Sequence, residues 1–187
     1  ASVATDWQFS VETACPGMTI TPSIEASSET ELQIFRADAI AVGTSFSEVP
    51  FALDSVVLAV SLADVTNVNL SADAIGKIWS GEITNWADAE LAKLNPNFEL
   101  PNVAISFGVD GDVGDTKSFV DWMARLAGKE IALEGGSASL EDFAEGSIVL
   151  TKYSKASDLF ATMAGIVTEE GGDGVIPTME TVLTAAT

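Results

Sequence analysis

The run Phe51-Ala52-Leu53-Asp54-Ser55-Val56-Val57-Leu58-Ala59-Val60 constrains this chain more than any other segment. Its second half is a continuous apolar, β-branched stretch. Half-buried strands alternate apolar and polar residues, whereas an uninterrupted apolar run suits a strand covered on both faces. Such a strand needs layers above and below it, and the rest of the sequence supplies helices for them. Ser71 precedes Asp73, Ala74, Ile75, Ile78 and Trp79 at helical spacings, with Gly81 as a stop. Asp88-Ala89-Glu90-Leu91-Ala92-Lys93-Leu94 reads as a second short helix, ended by Asn95-Pro96. Val103-Ala104-Ile105 reads as a buried strand. It leads through the glycine-rich stretch Gly108 to Thr116 into a helix carrying Phe119, Trp122, Met123 and Leu126 on one face. Ser147 to Thr151 reads as another strand, followed by a helix or turn at Ser157 to Met163, the short apolar pair Ile166-Val167 and a turn at Glu169 to Gly174. The last helix is expected from Pro177, with proline in its first turn. Upstream, Met18 to Thr21 and Ala39 to Val42 read as strands and Glu31 to Phe35 as a helical turn. Strands and helices alternate, so the fold class is α/β.

Charge narrows the function. Against 28 acidic residues stand 8 basic ones, a net charge of −20, and residues 1 to 76 hold a single cation, Arg36. Such a surface repels phosphate backbones and anionic lipid headgroups, so neither nucleic acid nor a membrane surface is expected as a partner. The chain has no histidine, which removes Ser-His-Asp and Cys-His nucleophilic sites, His-ligated zinc and imidazole bases. No apolar run reaches the length of a membrane span, because Asp54 and Asp64 interrupt the longest. The start Ala1-Ser2-Val3-Ala4, without Met, fits a mature end left by signal-peptide removal, or a trimmed chain. Cys15 has no intramolecular partner and reads as a small buried or idle thiol, an intermolecular bond being the alternative.

Several segments, in order, resemble the phosphate-binding proteins of ABC transporters, the PstS-type periplasmic binding proteins of type II. Phe51 to Val60 is similar to that family's hinge-crossing strand. Ile75 to Leu94, IGKIWSGEITNWADAELAKL, resembles its pattern I-x-x-G-K-I-x-x-W-x-D-P-x-I-A-x-L-N-P, and Asn95-Pro96 and Leu100-Pro101 continue the match. Gly146 to Val149, and on through Val182 to Ala186, resemble its closing strand, hairpin and last helix. The resemblance covers roughly residue 20 to the end. It implies a shortened clamshell of two small α/β lobes joined by crossing strands, the first made of residues 1–58 plus 147–187 and the second, inserted lobe of 59–146. It further implies an extracytoplasmic (periplasmic, cell-surface or secreted) solute-binding protein with no catalytic residues, no cofactor and no metal. An ABC permease would be its partner.

In the family, phosphate is held by a Gly/Ser loop, by a Ser-Asp pair and by an Arg-Ser-Asp-Gly-Ser-Gly-Thr-Thr loop. A dehydrated phosphate needs many donors and one firm cation. At the matching positions this chain has Ala26-Ser27-Ser28-Glu29-Thr30, then Gly43-Thr44-Ser45-Phe46, then Gly108 to Thr116 with Gly108 at the arginine position and added carboxylates at Asp112 and Asp115. An unpaired buried charge of the wrong sign costs several kcal/mol, against about 8 kcal/mol for a whole micromolar complex. Tight phosphate binding in the family's manner is not expected. The candidate ligand-binding residues are therefore Ser27, Ser28, Thr44, Ser45, Asp110, Gly111, Gly114 and Thr116, lining a cleft for a small polar ligand or a weakly held oxyanion. The alternative is a structural or surface-assembly protein that reuses the scaffold without a small ligand, and residues 1 to 17 could then pair with a neighbouring subunit's sheet edge.

Asp110, Asp112, Asp115 and Asp121 fall partly on the spacing of a calcium loop, but Gly114 and Asp115 stand at each other's required positions. Helix-capping acids are the plainer reading. Trp79 and Trp122 lie on apolar helical stripes and Trp86 matches a family tryptophan, so all three read as structural.

Overall fold

A computed structural model of the chain describes residues 3–17, 54–111, 113–132, 136–169 and 172–185. The chain divides into two compact units, Ala1–Ser47 and Glu48–Thr187. The described part of the first is helix α1, Val3–Ala14, followed by a turn in which Gly17 takes φ 101°. These residues are helical rather than extended, as pairing with a neighbouring subunit's sheet edge would need. Local bonds support the helix: Cys15 N–H donates to Val11 O at 2.8 Å and Thr13 Oγ1 to Phe9 O at 2.6 Å. Cys15 is exposed rather than buried. The expected elements at Met18–Thr21, Glu31–Phe35 and Ala39–Val42 lie outside the described residues.

The second unit is built on β1, Val56–Val60. Its long antiparallel neighbour is β5, Ser147–Lys152, in register from Val56 opposite Lys152 to Val60 opposite Ile148. β3, Ser106–Val109, lies parallel to β5, and β4, Gly136–Ser137, parallel to β3. β6, Thr162–Met163, pairs antiparallel with the other side of β1. The sheet order is β4-β3-β5-β1-β6, and a separate parallel pair joins β2, Asn69–Ser71, to β7, Gly165–Val167. Among the described residues no helix is long and apolar enough to cross a membrane.

Both faces of β1 are buried, which explains its uninterrupted apolar run. Leu58 and Val60 point into the larger core with α2 (Ala72–Trp79), α4 (Val113–Ala127) and the loops between, while Val57 and Ala59 point into a smaller one with Val149, Leu140 and Ala156. α2 starts where its cap predicts, Ser71 accepting from Ala74 N–H at 3.1 Å. α3, Ala89–Leu94, is capped by Asp88, which accepts from Glu90 N–H at 2.8 Å. Trp79 and Trp86 are core residues, as expected. Trp86 is fully buried, with its indole N–H on Gly146 O at 3.0 Å.

Several boundaries differ from expectation. Val103 to Ile105 is no strand: Ala104 makes an isolated bridge to Asn85, and the ladder begins at Ser106, opposite Ser147. The helix expected at 157–163 forms earlier, as α5, Tyr153–Asp158, and residues 159–163 become a turn and β6. The last helix, α6, runs Met179–Ala185, leaving Pro177 just outside it.

Candidate functional site

β3 and β5 run parallel, so both carboxyl ends reach the same edge of the sheet, and α4 starts four residues past β3. In open α/β sheets this edge is where ligands bind. Asp110 is the first residue beyond β3. Its own N–H donates to Leu150 O at 2.8 Å, which extends the ladder by one bond. Its Oδ2 accepts from Lys155 Nζ and from Leu140 N–H, each at 2.7 Å. One carboxylate thus ties the end of β3 to α5 and to the 3₁₀ turn Leu140–Asp142. Burial pushes the Asp110 carboxyl up, but the Lys155 hydrogen bond, the Leu140 N–H and the lysine charge together hold it below its ordinary range.

The helix α4 begins earlier than expected, so Gly114, Asp115 and Thr116 sit in its first turn rather than in a loop. Asp115 is a first-turn acid, favoured there by the helix dipole, and Lys152 Nζ lies 3.4 Å from its Oδ2. Gly111 is exposed at the turn between β3 and α4. The structure therefore brings Asp110, Gly111, Gly114 and Thr116 to one sheet edge. Ser27, Ser28, Thr44 and Ser45 lie outside the described residues.

Sequence reasoning missed two residues here, Lys152 and Lys155. They offset Asp115 and Asp110, so the edge is less acidic than the stretch 108–116 read alone. Neither carries a local motif, and the 45 positions between Lys155 and Asp110 hide the pairing. Asp54 is also engaged: its Oδ1 accepts from Ser154 N–H at 3.1 Å and its Oδ2 from Ser154 Oγ at 2.6 Å, capping α5 from across the chain. Asp121, the last carboxylate of the calcium-loop spacing, pairs with Lys117 one turn earlier on α4.

Gly108, at the family's arginine position, is buried in the strand opposite Gly136. A Cβ built on it would overlap the Cβ of Ala138. Ala138 is held there by its N–H to Val109 O at 2.9 Å. On that face of the sheet a concavity of about 380 Å³ is lined by Ser106, Ser137, Ser139, Ser147 and Asp142. The Ser106 and Ser147 hydroxyls satisfy each other at 3.0 Å.

Comparison with known proteins bears out the resemblance read from the sequence. The chain belongs to the family described as "PBP superfamily domain", whose model matches residues 10–184. Phosphate-binding protein PstS 3 of Mycobacterium tuberculosis is similar at 26% identity over 207 aligned positions, taking in 91% of this chain and 56% of that protein. Two solved structures share the fold: a possible phosphate-binding protein from Planctomyces limnophilus, with a TM-score of 0.53 at 15% identity, and PstS from Borrelia burgdorferi, with 0.51 at 20%. Each alignment covers 73% of this chain, and 49% and 54% of those chains. This chain thus spans about half the length of the relatives it matches. The α/β architecture of periplasmic-binding-protein type stands.

Proposed function

We propose that this chain is a non-catalytic, extracytoplasmic solute-binding-protein-like module whose phosphate site is altered, leaving a changed or weakly held polar ligand. The observation that carries the reading is Gly108. A phosphate site of the family's kind needs a guanidinium at this position, and here the neighbouring Ala138 occupies the space in which any side chain would start. Two lysines described at this edge support the same conclusion. Lys155 is committed to Asp110 at 2.7 Å, and Lys152, at 3.4 Å from Asp115, is the looser of the two. An anion arriving at the α4 N-terminus would compete with a carboxylate of this chain for Lys152, so the free energy of a charge-assisted bond is largely offset by the one it replaces. In this reading β1 and β5, which pair antiparallel along their length, are the crossing strands between lobes 1–58 plus 147–187 and 59–146. Delivery of ligand to an ABC permease belongs to the same proposal.

Calorimetric titration with inorganic phosphate at low and moderate salt tests it. The expected result is no saturable heat below millimolar phosphate. Saturable binding at micromolar phosphate would overturn the altered-site reading and restore a phosphate-transport role.

A further inference from the structure

Most of the lysines described are already committed to carboxylates. Lys77 serves two, Asp73 at 2.9 Å and Glu90 at 2.7 Å. Lys117 is taken by Asp121 and Lys129 by Asp73. Lys152 and Lys155 are held by Asp115 and Asp110 at 3.4 and 2.7 Å. Of the described cations only Lys93 and Arg125 stand outside these pairs, while the chain as a whole carries a net charge of −20. Exposed Glu82, Glu99, Glu141, Asp142 and Glu145 meet no cation among the described residues, and the last three crowd one short stretch of chain. The surface is therefore a set of carboxylates that repel one another.

Folding concentrates that repulsion. A compact unit of the length of Glu48–Thr187 has a radius of gyration of about 14 Å, against about 39 Å for the same chain unfolded. Repulsion thus opposes the folded state more than the unfolded one, and salt sets how far it reaches. The Debye length is about 30 Å at 0.01 M, about 10 Å at 0.1 M and about 3 Å at 1 M. In the most dilute of these media every carboxylate of the unit acts on the others, and in the most concentrated only immediate neighbours do. Salt weakens the ion pairs too, but unequally. Exposed pairs such as Lys117–Asp121 contribute little at any salt concentration. Lys155–Asp110 and Lys152–Asp115, whose acid side chains are 19% and 15% exposed, are screened less. The repulsion removed by salt therefore outweighs the attraction lost.

We infer that this fold is set for a salt-rich medium, its stability governed by screening of an unpaired acidic surface and not by a specifically bound cation. The few cations stand where they join elements: Lys155 fastens the turn after β3 to α5, and Lys77 of α2 holds Glu90 of α3. The other acids are left to the electrolyte. In dilute buffer the unit is destabilised, and most of the recovery falls between about 0.01 and 0.3 M, where the Debye length drops below the radius of the unit. The inference does not depend on whether a small ligand is bound.

Thermal unfolding followed by circular dichroism over a salt series tests it. The midpoint should rise by at least about 5 °C between about 0.01 and 0.5 M, and by the same amount in sodium, potassium and choline chloride at equal ionic strength. A chain that folds only once salt is added is the same result at its extreme. A variant carrying Glu82→Gln, Glu99→Gln and Glu145→Gln removes exposed acids that lie outside every described ion pair. It should unfold at a higher temperature than the unaltered chain in dilute buffer and show no advantage at about 1 M salt. A midpoint that stays flat or falls with salt, one that follows the identity of the cation, or a variant whose advantage is absent in dilute buffer or persists at high salt would each overturn the inference.

Discussion

Lys155 and Asp110 are joined at 2.7 Å across 45 positions of sequence, and the pair fastens the glycine-rich turn after β3 to the start of α5. It is partly shielded, with side-chain exposures of 37% and 19%, so it is worth more than a freely solvated surface pair. Asp110, a candidate ligand contact, is also a clasp between three elements, because Leu140 N–H shares the same carboxylate oxygen.

The clasp makes stability depend on acid. The folded Asp110 carboxyl lies below its ordinary value, so its contribution is complete above the unfolded pKa, about 4, and is lost as pH falls through the lower folded value. Asp73 adds in the same direction: hydrogen bonds from Lys129 and then Lys77 bring it down to about 2. Its side chain is 42% exposed, so solvent screening discounts it. Urea unfolding should show stability falling as pH is lowered from about 5 to 2. Asp110→Asn should cost about 1–3 kcal/mol at pH 7, and this difference should narrow toward the acid end. A cost that is the same at both ends would show that the charge of Asp110 is not what matters.

How much of this was legible in the sequence depended on how local each signal was. β1, α2 and α3 were readable because an apolar run, a Ser71 cap and an Asp88 cap each lie within a few residues of the element they define. α5 was misplaced because its cap, Asp54, is 100 positions away. Lys152 and Lys155 were missed for the same reason: their partners are brought to them by the β3–β5 pairing and not by spacing. The arginine position was recognisable as glycine, but that Gly108 is closed to any side chain depends on Ala138, which only the fold brings alongside.

Asn95 shows the converse, a residue legible as a helix stop that does more. It is 2% exposed, and its side chain holds β2 from the end of α3. Its Oδ1 accepts from Asn69 N–H at 2.7 Å, and its Nδ2 donates to Asn69 O at 3.0 Å and to Leu91 O at 2.9 Å. Asn95→Ala would bury one donor and two acceptors without these partners. Thermal or urea unfolding should register a loss of about 2–4 kcal/mol. A change under about 0.5 kcal/mol would mean that water replaces the amide without penalty.

Gly146 joins two requirements at one residue. It takes φ 86°, and a Cβ there would run into Ala104 O and approach Val103 Cγ1 within 2.8 Å. Its carbonyl receives the buried Trp86 indole at 3.0 Å, while its N–H donates to Ser61 O at 2.7 Å. Gly146→Ala therefore faces both the left-handed penalty, about 1–2 kcal/mol, and overpacking of about 1–3 kcal/mol. Trp86→Phe removes the indole bond and part of a fully buried ring, for about 2–4 kcal/mol. The two losses should not add. Once the backbone at 146 has shifted to admit a methyl group, its carbonyl no longer meets the indole squarely, so the second substitution removes a bond already weakened. A double-mutant cycle by urea unfolding should give an interaction energy of about 0.5–2 kcal/mol, the pair being less destabilised than the sum. Strict additivity would show that the Trp86 bond and the Gly146 turn hold independently.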